Sequence, residues 1–110
     1  MNAEQLSTWL TAIASPQRMR ILSTIAGEPL HVSEIARRVG MSRALLYMHL
    51  AKLEEAGFVT GHHELTDDGK ALKFFEAVPF ASMLDLATLV AAVTASPTPS
   101  SENPPRESSD

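Results

Sequence analysis

Arg43, Ala44, Tyr47 and Met48 lie within the stretch SRALLYMHLAKLEEAGFV, Ser42 to Val59. On a helix, residues three and four apart share a face, so these four side chains would project together. An arginine in the first turn can fork onto the O6 and N7 of guanine. Tyr47 can offer its hydroxyl to a phosphate or its ring to a thymine methyl, and its alternative is half-buried packing. Met48 and Ala44 have only van der Waals contact to give. A helix so equipped reads few hydrogen-bond patterns, so its discrimination would be modest or lean on DNA shape.

Other chemistries find less support. There is no cysteine, hence no disulfide, no thiolate metal site and no thiol redox chemistry. His62 and His63 are adjacent, and adjacent residues of a strand face opposite ways, so they cannot chelate one ion together. His31 and His49 are lone, His49 is expected to pack or hydrogen-bond near the turn, and nothing singles out one histidine as a pH switch. No activated nucleophile, Gly-rich phosphate loop or pair of carboxylates marks a catalytic centre, and Asp67-Asp68 reads as turn chemistry. The chain is not expected to be an enzyme or to carry a metal or cofactor.

The elements that must position Arg43 and its neighbours can be read from caps and periodicity. Leu6, Trp9, Leu10 and Ile13 fall at i, i+3, i+4 and i+7, one apolar face of a first helix over about 3–14. Ser15 as N-cap with Pro16 in the first turn opens a second, which stops at Gly27. In VSEIARRVG, Ser33 reads as N-cap, Ile35, Ala36 and Val39 turn inward, and Gly40 is the left-handed stop. Arg37 and Arg38 read as solvated charges. Two residues on, Ser42 caps the helix Ser42–Ala56, with Met41 placed to staple onto Leu46. Two helices joined by a short glycine turn form a helix-turn-helix, whose second helix enters a major groove.

Beyond Gly57 the period changes. Asp68-Gly69 is a two-residue hairpin signal. A turn there pairs Asp67 with Lys70, Leu65 with Leu72 and Glu64 with Lys73, two opposite charges and one apolar contact in a single register. The alternative is a helix capped by Asp67 with Leu72, Phe75 and Val78 inward. FASMLDLATLVAAV is apolar nearly all round, and a buried helix over about 81–94 is expected. In so short a chain it is better buried against a second copy, with Leu84, Leu86, Leu89 and Val90 joined by Leu6, Trp9 and Leu10 of the first helix. Residues 96–110 are Pro- and Ser-rich without a large apolar side chain and should form a disordered tail, leaving 1–95 as the folded domain.

Length and charge bound these readings. With 110 residues, 45% apolar and 20% charged, the chain fits one globular domain. No run reaches the roughly 18 apolar residues of a membrane span, and the first residues lack a basic leader, so a soluble cytoplasmic protein is expected. The net charge of −4 opposes phosphate binding in sum. The residues from Ser96 on hold three acids and one base, a net of −2, which leaves −2 for residues 1–95. Within those, Arg18, Arg20, Arg37, Arg38, Arg43 and Lys52 fall between positions 18 and 52. That allows a local basic face but not a strong electrostatic footprint.

SPQRMRIL, VSEIARRVGMSRALLYMHLAKLEEAGFV and LTDDGKALKFFEAV together resemble an ArsR-type winged helix-turn-helix transcriptional regulator over about residues 10–80. The resemblance implies a homodimer that binds a palindromic operator, usually as a repressor, and is released by a ligand or metal. By position it places Ser42, Arg43, Ala44, Tyr47 and Met48 at the DNA, and Leu46, Leu50 and Leu53 on the core. Ser33, at a helix N-terminus, would meet phosphate. Lys52 and the wing residues Lys70 and Lys73 would flank it. Metal-sensing members use cysteine pairs before the turn or Asp/His sets on the last helix; VSEIARRV and MLDLATLVAAV contain neither cysteine nor histidine, which points to a member that does not sense metal by those routes. The wing tip Asp67-Asp68-Gly69 would repel phosphate.

The expected fold is thus mainly α, a winged helix-turn-helix with a short β-hairpin wing and terminal dimerisation helices. The expected function is a DNA-binding transcriptional regulator, with double-stranded DNA, a second copy and a small-molecule effector as its partners. The alternative is a winged helix that binds protein, using Leu45, Tyr47 and Met48 as an apolar anchor.

Overall fold

A computed structural model describes residues 1–97. They form α1 (Ala3–Ile13), α2 (Pro16–Ile25), β1 (Leu30–His31), α3 (Val32–Val39), α4 (Arg43–Glu55), β2 (Val59–Leu65), β3 (Ala71–Ala77) and α5 (Leu86–Ala95). The strands make one antiparallel sheet in the order β1-β3-β2. The chain divides into two compact units, Trp9–Ala81 and the two end segments, Met1–Thr8 with the residues from Ser82 on. The residues of the expected tail from 98 on lie outside those described. Among the described residues, no helix is long and apolar enough to cross a membrane.

In the unit Trp9–Ala81 the helix ends are set by local chemistry. The Ser15 hydroxyl accepts from Arg18 N at 3.3 Å with Pro16 in the first turn, and the Ser42 hydroxyl accepts from Leu45 N at 3.2 Å. Each such cap satisfies an amide that the helix cannot, worth about 1 kcal/mol. Gly40, at φ +71°, closes α3: its N–H and that of Met41 both reach the Ala36 carbonyl. Gly57, at φ +88°, does the same for α4, with its own N–H on Glu54 and Phe58 N on Leu53. The core gathers Ile21 and Ile25 of α2, Ile35 and Ala36 of α3, Leu46, Leu50 and Leu53 of α4, and Phe58, Val59 and Phe75 of the sheet. Each large side chain so buried contributes roughly 1.5–3 kcal/mol. Trp9 packs on this core with its ring 5.0 Å from Phe58 and 5.6 Å from Phe80.

Four local expectations are corrected. The helix alternative at Leu65–Val78 gives way to the hairpin, but in another register: Leu65 pairs with Ala71, Glu64 with Leu72 and His63 with Lys73. The turn has three residues rather than two. Thr66 N bonds to Lys70 O, Gly69 N bonds to Thr66 O, and Gly69 takes φ +85°. A tight turn followed by a left-handed glycine is the usual three-residue hairpin loop. The expected Glu64–Lys73 and Asp67–Lys70 pairs therefore do not form across the strands.

Ser33 is not an N-cap. Strand β1, which the sequence reading lacked, pairs Leu30 with Phe75 and His31 with Phe74. That pairing carries extended backbone up to His31, so α3 starts one residue before Ser33 and has no side-chain cap. The last helix begins at Leu86 rather than near 81, because Asp85 caps it by accepting from Thr88 N at 2.8 Å and Thr88 Oγ1 at 2.6 Å. Leu84 accordingly precedes the helix.

In the unit of the two end segments, Ala3 N donates to Ser96 Oγ at 2.8 Å, and Ser96 Oγ donates to Ala92 O at 2.9 Å. Leu6 and Ala92 are buried. Leu86, Leu89, Val90 and Val93, at i, i+3, i+4 and i+7, remain exposed.

Candidate nucleic-acid interface

Helix α4 presents two unlike faces. Leu46, His49, Leu50 and Leu53 point into the core, while Arg43, Ala44, Tyr47, Met48 and Lys52 are exposed. Tyr47 is 53% exposed and Met48 47%, so about half of each side chain is open to a partner. The apolar character of the helix on both sides is thus real, with only one side used by the fold.

Next to this face lies a cleft of about 300 Å³, lined by His31, Val32 and Ser33 at the start of α3, Arg43 and Tyr47 of α4, and His63 and Ala71–Lys73 of the hairpin. Ser33, Arg43, Tyr47 and Lys73, drawn from three elements, are brought together there. Ala44 and Met48 adjoin them on α4. Lys52 lies in the last turn of that helix, and Lys70 stands at the wing tip with its Nζ 4.0 Å from Asp68 Oδ2.

Lys73 is placed by its neighbours. A Cβ on Gly61 would come within 2.7 Å of Lys73 Cε, so the lysine stem lies across the glycine. Its Nζ sits 5.2 Å from the centre of the Phe75 ring, within range of a cation–π attraction. Phe74, on the opposite side of β3, has His31 edge-on at 5.7 Å and His62 stacked at 6.1 Å. His62 and His63 do face opposite sides of the sheet, and His62 turns to Glu64 at 2.7 Å.

Charge on this surface is partly spent internally. Glu34 receives Arg37 through Nε at 3.1 Å and also through Nη2, and receives Arg38 Nε at 2.6 Å. The Arg37 hydrogen bonds first, then that of Arg38, hold the Glu34 carboxyl down at about 2. The two arginines are thereby partly neutralised, as their reading as solvated charges requires. At the wing tip the Thr66 hydroxyl and then the Lys70 backbone N–H lower the Asp68 pKa, keeping that repulsive charge in place at neutral pH.

Behind the interface His49 packs and hydrogen-bonds as expected, but its partner was not foreseen. His49, 4% exposed, accepts at Nδ1 from Arg18 Nε, 3.0 Å away. Arg18 also donates through Nη1 to Ala12 O at 3.1 Å and Thr11 O at 3.5 Å. Burial, then the guanidinium charge, push the His49 pKa below its ordinary value, so the ring is neutral at pH 7. The partners lie 31 positions apart, and no local signal could have joined them.

Away from the cleft, an apolar groove of about 620 Å³ runs along α2 and the end of β3, between Met19, Leu22 and Ala26 on one side and Ala77–Phe80 on the other.

Comparison with known proteins agrees with this architecture. Residues 15–60 match the family model described as bacterial regulatory protein, arsR family. An HTH-type transcriptional regulator of Methanocaldococcus jannaschii is 31% identical over 74 residues, 67% of this chain and 77% of that protein. The nodulation protein NolR of Rhizobium meliloti is 36% identical over 59 residues, and this match spans about half of that protein, 48%. Among solved structures, NolR from Sinorhizobium fredii superposes with a TM-score of 0.60 at 25% identity, covering 84% of this chain and 83% of that one. A homodimeric winged helix-turn-helix DNA-binding domain from Mycobacterium bovis has a TM-score of 0.60 at 20% identity, over 83% of this chain and 73% of that one, a likeness of fold. With the cap-defined helix pair, the wing and these relatives in agreement, the chain belongs to the ArsR family of helix-turn-helix transcriptional regulators.

Proposed function

We propose that this DNA-binding regulator grips a two-fold operator as a homodimer and represses transcription from it, with α4 of each copy in a major groove. The observation that carries the reading is the convergence of Ser33, Arg43, Tyr47 and Lys73 on one cleft beside the exposed face of α4. Arg43 takes a guanine edge or a phosphate. Tyr47, Met48 and Ala44 lie against thymine methyls and sugar. The amide ends of α3 and α4, with Ser33 and Ser42, meet phosphate, a contact favoured by the exposed N–H groups and the helix dipole. Lys73 and Lys52 reach flanking phosphates, whereas Lys70, beside Asp67 and Asp68, adds little.

The dimer is supported by the exposed stripe of Leu86, Leu89, Val90 and Val93 on α5 and by exposed Leu84 just before it; Leu6 is buried and Trp9 packs on the core, so neither adds an exposed surface. Homodimery of the Mycobacterium bovis domain accords with it. The groove between α2 and the end of β3 suits a small apolar effector. Trp9, the only tryptophan, touches its wall at Phe80, so quenching of indole fluorescence by an apolar compound would report filling.

The charge reversal Arg43→Glu tests the reading. Fluorescence anisotropy with the duplex upstream of the chain's own gene should show wild-type affinity falling steeply with salt. The variant, equally folded, should lose binding by about 100-fold or more, since a single base or phosphate contact is worth about 1–3 kcal/mol and reversal adds repulsion. Equal binding by both proteins would overturn the assignment and favour the exposed apolar face as a protein-docking patch.

A further inference from the structure

We propose that Arg18 is a positioning residue for the DNA-reading helix: it holds α4 through neutral His49 and ties it to the end of α1. The inference rests on the DNA-binding reading above and concerns how that face is kept in place.

The geometry is specific. Arg18 stands near the start of α2 and spends its guanidinium in two directions. Nη1 goes to the Ala12 carbonyl at 3.1 Å, in the last turn of α1 where the dipole favours a cation, and at 3.5 Å to the Thr11 carbonyl, which also accepts from Ala14 N. Nε goes to His49 Nδ1 on the inner face of α4. One side chain therefore joins three helices. An arginine Nε–H can only donate, so Nδ1 must be the bare ring nitrogen and the proton sits on Nε2. That Nε2 is buried and meets no hydrogen-bond partner among the described residues.

Packing alone does not favour this arrangement. At a 4% exposed position surrounded by Leu46, Leu50 and Leu53, an apolar side chain would avoid the cost of a buried, unpaired N–H. What the imidazole adds is direction. A hydrogen bond fixes the rotation and height of α4 in a way that interchangeable leucine contacts do not, and a rigid helix passes that setting to Arg43, Tyr47 and Met48 on its other side.

The link is proton-sensitive. Of the charged groups on the elements packed against α4, Arg18 of α2 faces His49. On α3, Glu34, Arg37 and Arg38 are engaged with one another, and on β2, His62 is engaged with Glu64. Arg20 of α2, His63 on β2 and Lys52 on α4 itself are exposed. Protonation of His49 would set an N–H on Nδ1 against the Arg18 N–H and a second positive charge beside the guanidinium. Because burial and Arg18 hold the folded pKa below the ordinary value of 6.5, the link is intact at and above 6.5 and fails as pH falls through that lowered value.

Two variants of the full chain separate these effects. Arg18→Lys keeps the charge but cannot reach both His49 and the α1 carbonyls. His49→Asn keeps an acceptor near the Nδ1 position and cannot titrate. Nitrogen-15 NMR of wild-type imidazoles without DNA should show His49 as the Nε2–H tautomer at about pH 7.5, and Arg18→Lys should lose that fixed tautomer. Anisotropy with the promoter duplex at about pH 8 should show Arg18→Lys weaker by roughly tenfold, the scale of one hydrogen bond to a charged group. His49→Asn should bind like wild type there and, in acid below the lowered His49 pKa, should bind more tightly than wild type, having lost the acid-sensitive link.

An Nδ1–H tautomer in the wild type, or Arg18→Lys with wild-type affinity and pH profile, overturns the positioning role while leaving the DNA reading intact. A variant that melts earlier but binds DNA normally when folded overturns it too, because that is what a merely structural arginine would do. Failure of the wild type to bind any duplex overturns the DNA reading itself and the positioning role with it.

Discussion

The unit Trp9–Ala81 leaves Ile21, Ile35, Leu46 and Leu53 wholly buried, whereas α5 leaves Leu86 75%, Val93 65% and Val90 58% exposed. Helix α5 is the more apolar of the two stretches, yet the more exposed. In the first, three helices and a sheet surround each side chain, so its position is decided within one chain. In the second, the helix turns Ala92 inward and leaves a stripe at i, i+3, i+4 and i+7 in water. An apolar stripe of that kind marks an interaction surface rather than a core. Large apolar residues in this molecule thus fold the core or stay in water; in the proposed function the α5 stripe holds two copies together, and the exposed pair Tyr47 and Met48 meets DNA.

Truncation should break that comparison most sharply. Leu50→Ala removes a core side chain that has no room to be replaced, and should cost about 2–5 kcal/mol of unfolding free energy in a urea titration. Leu89→Ala, an equally large truncation on α5, should change the unfolding of the dilute chain by no more than about 0.5 kcal/mol. A similar cost at both sites would mean that α5 is as much core as α4.

Charge on the stripe should come next in size. Leu86→Glu with Val90→Glu should weaken the dimer by about 30-fold or more in sedimentation velocity, the scale of losing an interface anchor. Unfolding of the separated chain should hardly move. Tyr47→Ala should follow, lowering promoter affinity by about tenfold with stability within about 1 kcal/mol of wild type, since its side chain is half exposed and outside the core.

Gly61→Ala should be smaller still. The added methyl must push the Lys73 stem aside, costing the cation–π contact of about 0.5–1 kcal/mol and a few-fold in DNA affinity. Glu34→Gln is the gentlest change and has the opposite sign. It frees Arg37 and Arg38, so DNA affinity should rise slightly and its salt dependence steepen. The same carboxylate sets an acid limit. With its pKa depressed from 4.5 to about 2, its contribution to stability is present above 4.5 and lost as pH falls through 2, which an acid titration of the wild type and Glu34→Gln would resolve.

What could be read from the sequence follows the range of the signal. Ser15-Pro16, Gly40, Ser42 and Gly57 act within one helix turn, and each does in the fold what its residue type suggests. Arg43, Ala44, Tyr47 and Met48 were legible as an exposed face for the same reason. The hairpin was legible as a hairpin, yet its register slipped by one, because Asp68-Gly69 suits a two-residue turn as well as the left-handed end of a three-residue one. Cross-strand charge pairing, which seemed to favour the former, is worth too little to decide it. Strand β1 was invisible: two residues, Leu30 and His31, have no period, and they are extended only because β3 lies alongside. Its consequence reached the site, since it moved Ser33 from cap to first turn. The Arg18–His49 bond was invisible for the same reason, being made by tertiary packing alone.

Hydroxyl-radical footprinting of the promoter duplex tests the central claim most directly. The account predicts two protected segments related by a two-fold axis, with centres about one helical turn, roughly 10–10.5 bp, apart, one for each α4. Protection of a single segment by a saturating dimer, or none at concentrations where the dimer is fully formed, would contradict it.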